Sequence, residues 1–280
     1  MSVVLASPSN VVETVALQGL ADLPWPVFVI VPLVVLGVIF GAILAHRAEK
    51  RRIAELTAWA GERGFHYTSG RAKGAPHVPF ELFERGHSRY ADHQVNGRLV
   101  DALRGLDDPS FELFHYHYAI TTGSGKDRRT RHYHHRCLLL DLGFAVGEID
   151  VRPENFFDKL AAVVGFDDID VEDPHFSKRF HVKARDRRAA YALLEAELTD
   201  HLLTAELGFT ARGSLVLVAE PGRAEVADYA RLLEHVRGLV HAVPRLLVNA
   251  ERERRGLAPL VDAGSAARRQ RPDPEKSATD

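Results

Sequence analysis

From Leu23 to Ala45 the chain runs for 23 positions without a formally charged residue, almost all of them Val, Ile, Leu, Phe, Gly, Ala or Pro. As a helix rising 1.5 Å per residue, that run is about 34 Å long, enough to cross a hydrocarbon core of about 30 Å. A core helix of a soluble protein seldom stays uncharged for so long, so a membrane span is expected. Trp25 sits near the first boundary, where an indole keeps its N–H wet and its rings in lipid, and Pro24 and Pro26 fall where the opening helical donors are free anyway. Pro32 is interior and is a candidate kink.

The flanks set the orientation. No Lys or Arg occurs among the first 22 residues, which carry Glu13 and Asp22, whereas the other side opens with Arg47, Lys50, Arg51 and Arg52. The positive-inside rule then places the amino terminus outside and everything after His46 in the cytoplasm, at the inner (plasma) membrane as a single-pass protein. A cleaved signal peptide would need a positive opening region and a shorter apolar run, and neither is present.

Charge and cysteine content exclude several classes. Against 38 Asp and Glu stand 36 Lys and Arg, a formal charge of −2, which is not the basic excess a nucleic-acid-coating protein needs. The single cysteine, Cys137, rules out an intramolecular disulfide framework and any multi-cysteine zinc or iron–sulfur site. It lies in a Leu-rich strand pattern, where a small buried thiol is expected.

Beyond the span, Ile53, Leu56 and Ala60 continue a helical stripe until Gly61 and Gly64, followed by a short strand Phe65 to Thr68 and a Gly/Pro loop from Ser69 to Pro79. Strands are then expected at Ala102 to Gly105, Phe111 to Thr121, Arg129 to Leu142 and Glu148 to Arg152, and a helix carrying Phe157, Leu160, Ala161 and Val164. A second set follows: strand Phe180 to Ala184, a helix from about Arg187 to Ala205 with an irregularity near Thr199, and strands Phe209 to Arg212 and Leu215 to Ala219. The strongest helix places Val226, Tyr229, Leu232, Leu233, Val236, Leu239, Val240 and Val243 on one face, and Pro244 opens a more polar one.

The fold class expected is therefore α+β, a single N-terminal transmembrane helix followed by a mostly antiparallel sheet packed by helices. Its parts are a short extracytoplasmic segment over 1–22, the span over 23–45, a juxtamembrane helix over 46–64, a first α+β part with a long hairpin over 65–172, a second over 173–256 and a disordered tail over 257–280.

Three strings, Asp101-Ala-Leu-Arg-Gly105, Thr121-Thr-Gly-Ser-Gly-Lys126 and Asp173-Pro-His-Phe-Ser-Lys-Arg-Phe180, together resemble an uncharacterised family of bacterial membrane-anchored proteins. The resemblance covers roughly 47–241 and implies one amino-terminal span and a cytosolic α+β domain of unknown function. It assigns no catalytic residue.

Of 15 histidines, His115, His117, His132, His134 and His135 fall in two neighbouring strands. A two-residue loop at Ser124-Gly125 sets His117 opposite His132 and His115 opposite His134, on one face, in a rectangle of about 5 by 7 Å over which imidazoles converge on Zn²⁺ or Cu²⁺. A loop one residue longer puts His132 and His134 on the other face. Phe114, Tyr116, Tyr118 and Ile120 have core parity, which leaves the histidines facing outward.

The same hairpin carries Lys126, Arg128, Arg129 and Arg131, a cationic tip suited to anionic lipid headgroups or an acidic partner. Its Gly123-Ser-Gly-Lys126 is no phosphate loop, since Lys126 is followed by Asp127 and both flanks read as strands. The acidic run Asp167, Asp168, Asp170, Glu172 and Asp173 lacks the glycine and glutamate spacing of a calcium loop and reads as a solvated turn. No Ser, His and carboxylate trio is recognisable. The functional expectation is a membrane-tethered cytosolic binding or regulatory module without a catalytic site, acting on a membrane-associated protein partner. The alternatives are a metal-binding protein or metal-dependent enzyme built on the histidines, and lipid docking by the hairpin.

Overall fold

The computed structural model describes residues 25–74, 76–103, 105–154, 166–171, 173–223 and 225–260. The expected segment over 1–22, the helix over Phe157–Val164 and the tail beyond 260 lie outside the described residues. The chain divides into two compact units, Met1–Ala54 and Glu55–Asp280.

The first helix, α1 (Trp25–Glu62), contains Pro32 and is long and apolar enough to cross a membrane. Its large apolar side chains from Phe28 to Leu44 are exposed, Leu33 at 67% and Leu36 at 68%. Nothing in a water-soluble fold rewards such exposure, whereas lipid does.

The second unit is α+β, as expected. It holds β1 (His66–Thr68), β2 (Ala72–Lys73), α2 (Glu81–Glu84), β3 (His87–Arg98), β4 (Ser110–Thr122), β5 (Arg129–Asp141), β6 (Glu148–Pro153), β7 (Asp167–Asp168), α3 (Pro174–Arg179) and β8 (Phe180–Ala184). Then come α4 (Arg187–Leu193), α5 (Ala196–Ala205), β9 (Phe209–Arg212), β10 (Leu215–Pro221), α6 (Val226–His241) and α7 (Arg245–Arg254). All ten strands join one antiparallel sheet in the order β1-β3-β4-β5-β10-β9-β6-β8-β7, with β2 also on β3.

Alternation along the central strands gives this sheet two apolar faces. Phe111 and Leu113 of β4, Leu138 and Leu140 of β5 and Val216 and Val218 of β10 share one core with Leu56 and Trp59 of α1 and with Tyr229, Leu232 and Val236 of α6. On the other face Phe114, Tyr116 and Tyr118 pack with Cys137, Leu217, Phe80 and Phe83. Cys137 is fully buried, and burial pushes its thiol well up, so it is an inert core group.

Four expectations are corrected. The 12-residue β3 and the short α2 were not foreseen. Ala102, Leu103 and Gly105 are not in a strand: Asp101 adopts φ 56° and donates its N–H to Asp108 Oδ1 at 2.8 Å, which closes a turn instead. The helix break falls at Leu194–Glu195, not Thr199, and lets Leu193, Leu194 and Leu198 all reach the core. The β4–β5 loop spans Gly123–Arg128 around a 3₁₀ turn at Gly125–Asp127, because Thr122 pairs with Arg129.

Candidate functional site

The longer hairpin loop shifts the register by two residues from the expected one, which preserves parity. His117 stands opposite His134, His115 opposite Arg136 and His132 opposite Ala119, so all four histidines still share one face. Two of them are not outward-facing as expected: His115 and His117 are only 6% and 5% exposed. That face is the one that carries Leu113 and Leu138, and on it Arg136 meets Asp228 of α6 at 2.9 Å.

The third strand of the site is β3. Its register sets Asp92 opposite His115 and Tyr90 opposite His117. His115 Nδ1 lies 2.6 Å from Asp92 Oδ1, and His117 Nδ1 lies 3.1 Å from the Ser88 carbonyl. Burial alone would raise the Asp92 carboxyl, but its hydrogen bond and charge attraction to His115 outweigh that and hold it below the usual range. An ionised carboxylate and a carbonyl are both acceptors only, so each Nδ1 carries a proton, and in the neutral ring Nε2 then presents a lone pair.

Those lone pairs meet the outer histidines. His115 Nε2 accepts from His134 Nδ1 at 2.9 Å, and His117 Nε2 accepts from His132 Nδ1 at 3.0 Å. Two parallel chains result, one running from Asp92 through His115 to His134 and the other from Ser88 through His117 to His132. Tyr90 stacks on His117 at 4.5 Å between centroids, and the Arg71 guanidinium lies 3.9 Å over Tyr90 and 3.8 Å from Asp92. Desolvation, reinforced by the neighbouring imidazoles, lowers His134 to about 4 and also lowers His117, so both are neutral near pH 7.

The four rings form a zigzag in the order His115, His134, His117, His132, with successive centroids 5.1, 4.9 and 5.2 Å apart. As the rings stand, no three His, Cys, Asp or Glu side chains among the described residues surround a point fit for a metal ion. Asp92, Tyr90, Ser88 and Arg71 escaped sequence reasoning. The signal available was Tyr90-x-Asp92, two residues on one strand face, usable only once β3 is recognised.

Lys126, Arg128, Arg129 and Arg131 are all exposed around the 3₁₀ turn and the start of β5. In the acidic run, Asp168 engages His181 at 3.0 Å and Lys183 at 3.5 Å, Asp173 caps α3, and Glu172 lies outside the described residues.

A cavity of about 350 Å³ has Phe80, Leu82 and Leu217 of the second core and Val151, Phe180 and Phe209 of the first among its lining residues. Its rim carries both signs, Arg85 and Lys178 against Glu81 and Glu154. Apolar lining together with charges of both signs suits a side-chain cluster better than a polyanion.

No protein-family model and no curated protein matches the chain. Among solved structures, it is similar to the mycobacterial trehalose monomycolate transport factor A, TtfA, at 16% identity and a TM-score of 0.49, over 71% of this chain and 97% of that one. A likeness of that size carries no argument about this chain's site or activity.

Proposed function

We propose that the chain is a membrane-tethered binding or regulatory module of the inner membrane, with its amino terminus outside and its α+β body in the cytoplasm. The observation that carries this reading is the apolar helix α1, whose side chains from Phe28 to Leu44 lie exposed along a length fit for a bilayer. Its flanking charges supply the orientation: Arg47, Lys50, Arg51 and Arg52 follow the apolar run directly. Tethering confines the body near other membrane proteins and so raises its effective concentration toward a membrane-associated partner. The cavity beside Phe80 and Phe209 is the place on the body that accepts an apolar segment of such a partner. The resemblance seen in the sequence implies the same single span and cytosolic body.

The test is alkaline carbonate extraction of cell membranes followed by protease added to intact spheroplasts. The chain should stay in the pellet, and its body should resist protease until the membrane is opened. Release by carbonate, or digestion in sealed spheroplasts, refutes the reading.

A second reading is favoured by the hairpin tip, where Lys126, Arg128, Arg129 and Arg131 show no ion pair among the described residues. It assigns the tip to anionic lipid headgroups, each cation near the surface worth about 1 kcal/mol. Flotation of a fragment from Glu55 with phosphatidylserine vesicles should fall sharply when all four are changed to Ala. Equal flotation of both proteins refutes it.

A further inference from the structure

We propose that the four-histidine face of β4 and β5 is a transition-metal site, taking Zn²⁺ or Cu²⁺ through the imidazoles of His115, His117, His132 and His134. This goes beyond the tethering role and stands independently of it.

The backbone pattern is that of a chelate. Each strand offers two histidines two residues apart, with Cα atoms spaced about 6.7 Å on one face of a strand, and the two pairs belong to adjacent antiparallel strands. Imidazoles bound to one tetrahedral zinc at about 2.0–2.1 Å have ring centroids about 5 Å apart, a spacing that follows from the ligand distance and the tetrahedral angle. Three of the six ring pairs, the successive ones of the zigzag at 5.1, 4.9 and 5.2 Å, have that value, and convergence on one ion requires the ends of the zigzag to close. Two nitrogens on one tetrahedral ion stand about 3.3 Å apart, so those joined at 2.9 and 3.0 Å must part by a few tenths of an ångström and each ring must turn by about 35° to aim its lone pair at the ion.

The surroundings are those that prepare a histidine to ligate. A ligating imidazole donates its other N–H to a carboxylate or a backbone carbonyl, which fixes the tautomer and makes the free nitrogen more basic. His115 has Asp92 in that place and His117 has the Ser88 carbonyl, so both Nε2 atoms face the outer rings as lone pairs. The outer rings then need only a change of tautomer. The proton on Nδ1 of His132 and of His134 moves to Nε2 by way of solvent, and the freed Nδ1 lone pair turns to the ion. In a neutral ring this exchange moves the proton from one nitrogen to the other and releases none. His132 is exposed and His134 half-buried, which gives that exchange access to water. A nitrogen-only set selects zinc or copper over magnesium or calcium, which want oxygen.

The experiment uses the full chain in detergent micelles, stripped with chelator and titrated separately with ZnCl₂ and CoCl₂. Bound metal is read by equilibrium dialysis, and coordination by the visible d–d bands of Co²⁺. The expected result is one equivalent per chain, with the intense bands of a four-coordinate nitrogen site. That uptake should vanish in His132→Ala/His134→Ala, which changes only the outer rings. It should weaken roughly 10- to 100-fold in Asp92→Asn, which touches no ligand directly. The unfolding midpoint of each variant in chelator confirms that it is folded. Failure of the wild-type chain to bind, or uptake that His132→Ala/His134→Ala leaves unchanged, overturns the proposal.

Discussion

At the scale of single residues, burial of imidazoles has a measurable consequence. His235 lies 3% exposed on α6, stacked on His201 at 5.0 Å, and desolvation together with that second ring lowers it to about 3. His134 is lowered to about 4. In the unfolded chain both take up a proton near 6.5, which the folded protein refuses. Above about pH 6.5 neither state is charged and folding is unaffected; below it the unfolded state binds more protons, so stability falls as pH drops toward the folded values. Denaturant midpoints measured in chelator should therefore be flat from pH 8 to 7 and decline from about 6.5 to 4.5, a window above the titration of Asp92 and most carboxylates. His235→Gln should make that decline shallower; an unchanged slope would show that His235 is not held neutral. A glycine gives a second test. A methyl group at Gly208 would meet the Val151 carbonyl on the neighbouring strand β6. That obstacle is backbone in a paired strand and cannot swing aside, so Gly208→Ala should cost about 2–3 kcal/mol in urea unfolding.

Between elements, an ion cluster joins the hairpin to the last strand and to α6. Glu220 of β10 receives Arg136 Nε of β5 at 3.2 Å and Arg231 Nη1 of α6 at 3.1 Å, while Arg136 also holds Asp228 at 2.9 Å. Glu220 is 9% exposed, and removing it leaves Arg136 with Asp228 and takes a carboxylate partner from Arg231, itself 45% exposed. Glu220→Ala should lower stability by about 1–2 kcal/mol in urea unfolding, and Asp228→Ala, at the open end of the cluster, by less. Equal losses would place the weight elsewhere. Elements with strong alternation or helical spacing were legible beforehand: β4 and β5 end within one residue of their expected limits, and Tyr229, Leu232 and Val236 are buried on α6. β3 was not legible, and physics explains why. Its inward positions are Ala91, His93 and Val95, two of them weak strand formers, and bulges interrupt the alternation between His87 and Tyr90 and between Asp92 and Val95. With β3 hidden, Asp92 and Tyr90 were hidden too, so half of the histidine site, its supporting shell, was beyond reach. The register of the hairpin was missed for a smaller reason: Gly123 and Gly125 both adopt positive φ, which accommodates a 3₁₀ turn as readily as a tight two-residue one.

For the whole molecule, the decisive contrast lies between a helix that exposes its apolar side chains and a body that hides its own. Residues Glu55–Asp280 close their cores among themselves: Leu56 and Trp59 already belong to the body's cluster, alongside Val95, Leu113 and Tyr229. Among the described residues, no side chain from Phe28 to Leu44 is a member of that cluster. Stability and location should therefore separate cleanly. A fragment that starts at Arg47 keeps Leu56, Trp59 and Ala60, each buried, and should unfold within about 2 °C of the full chain in the same mild detergent, since about 1 kcal/mol would shift a body of this size by 2–4 °C. The same fragment should leave the membrane pellet for the supernatant. A fragment that starts at Phe65 should instead lose several degrees, because it removes Leu56 and Trp59 from the face of the sheet that carries Leu113 and Tyr229. If the Arg47 fragment melted as low as the Phe65 fragment, the span would have to support the body's fold, and the division between anchor and working domain would fail.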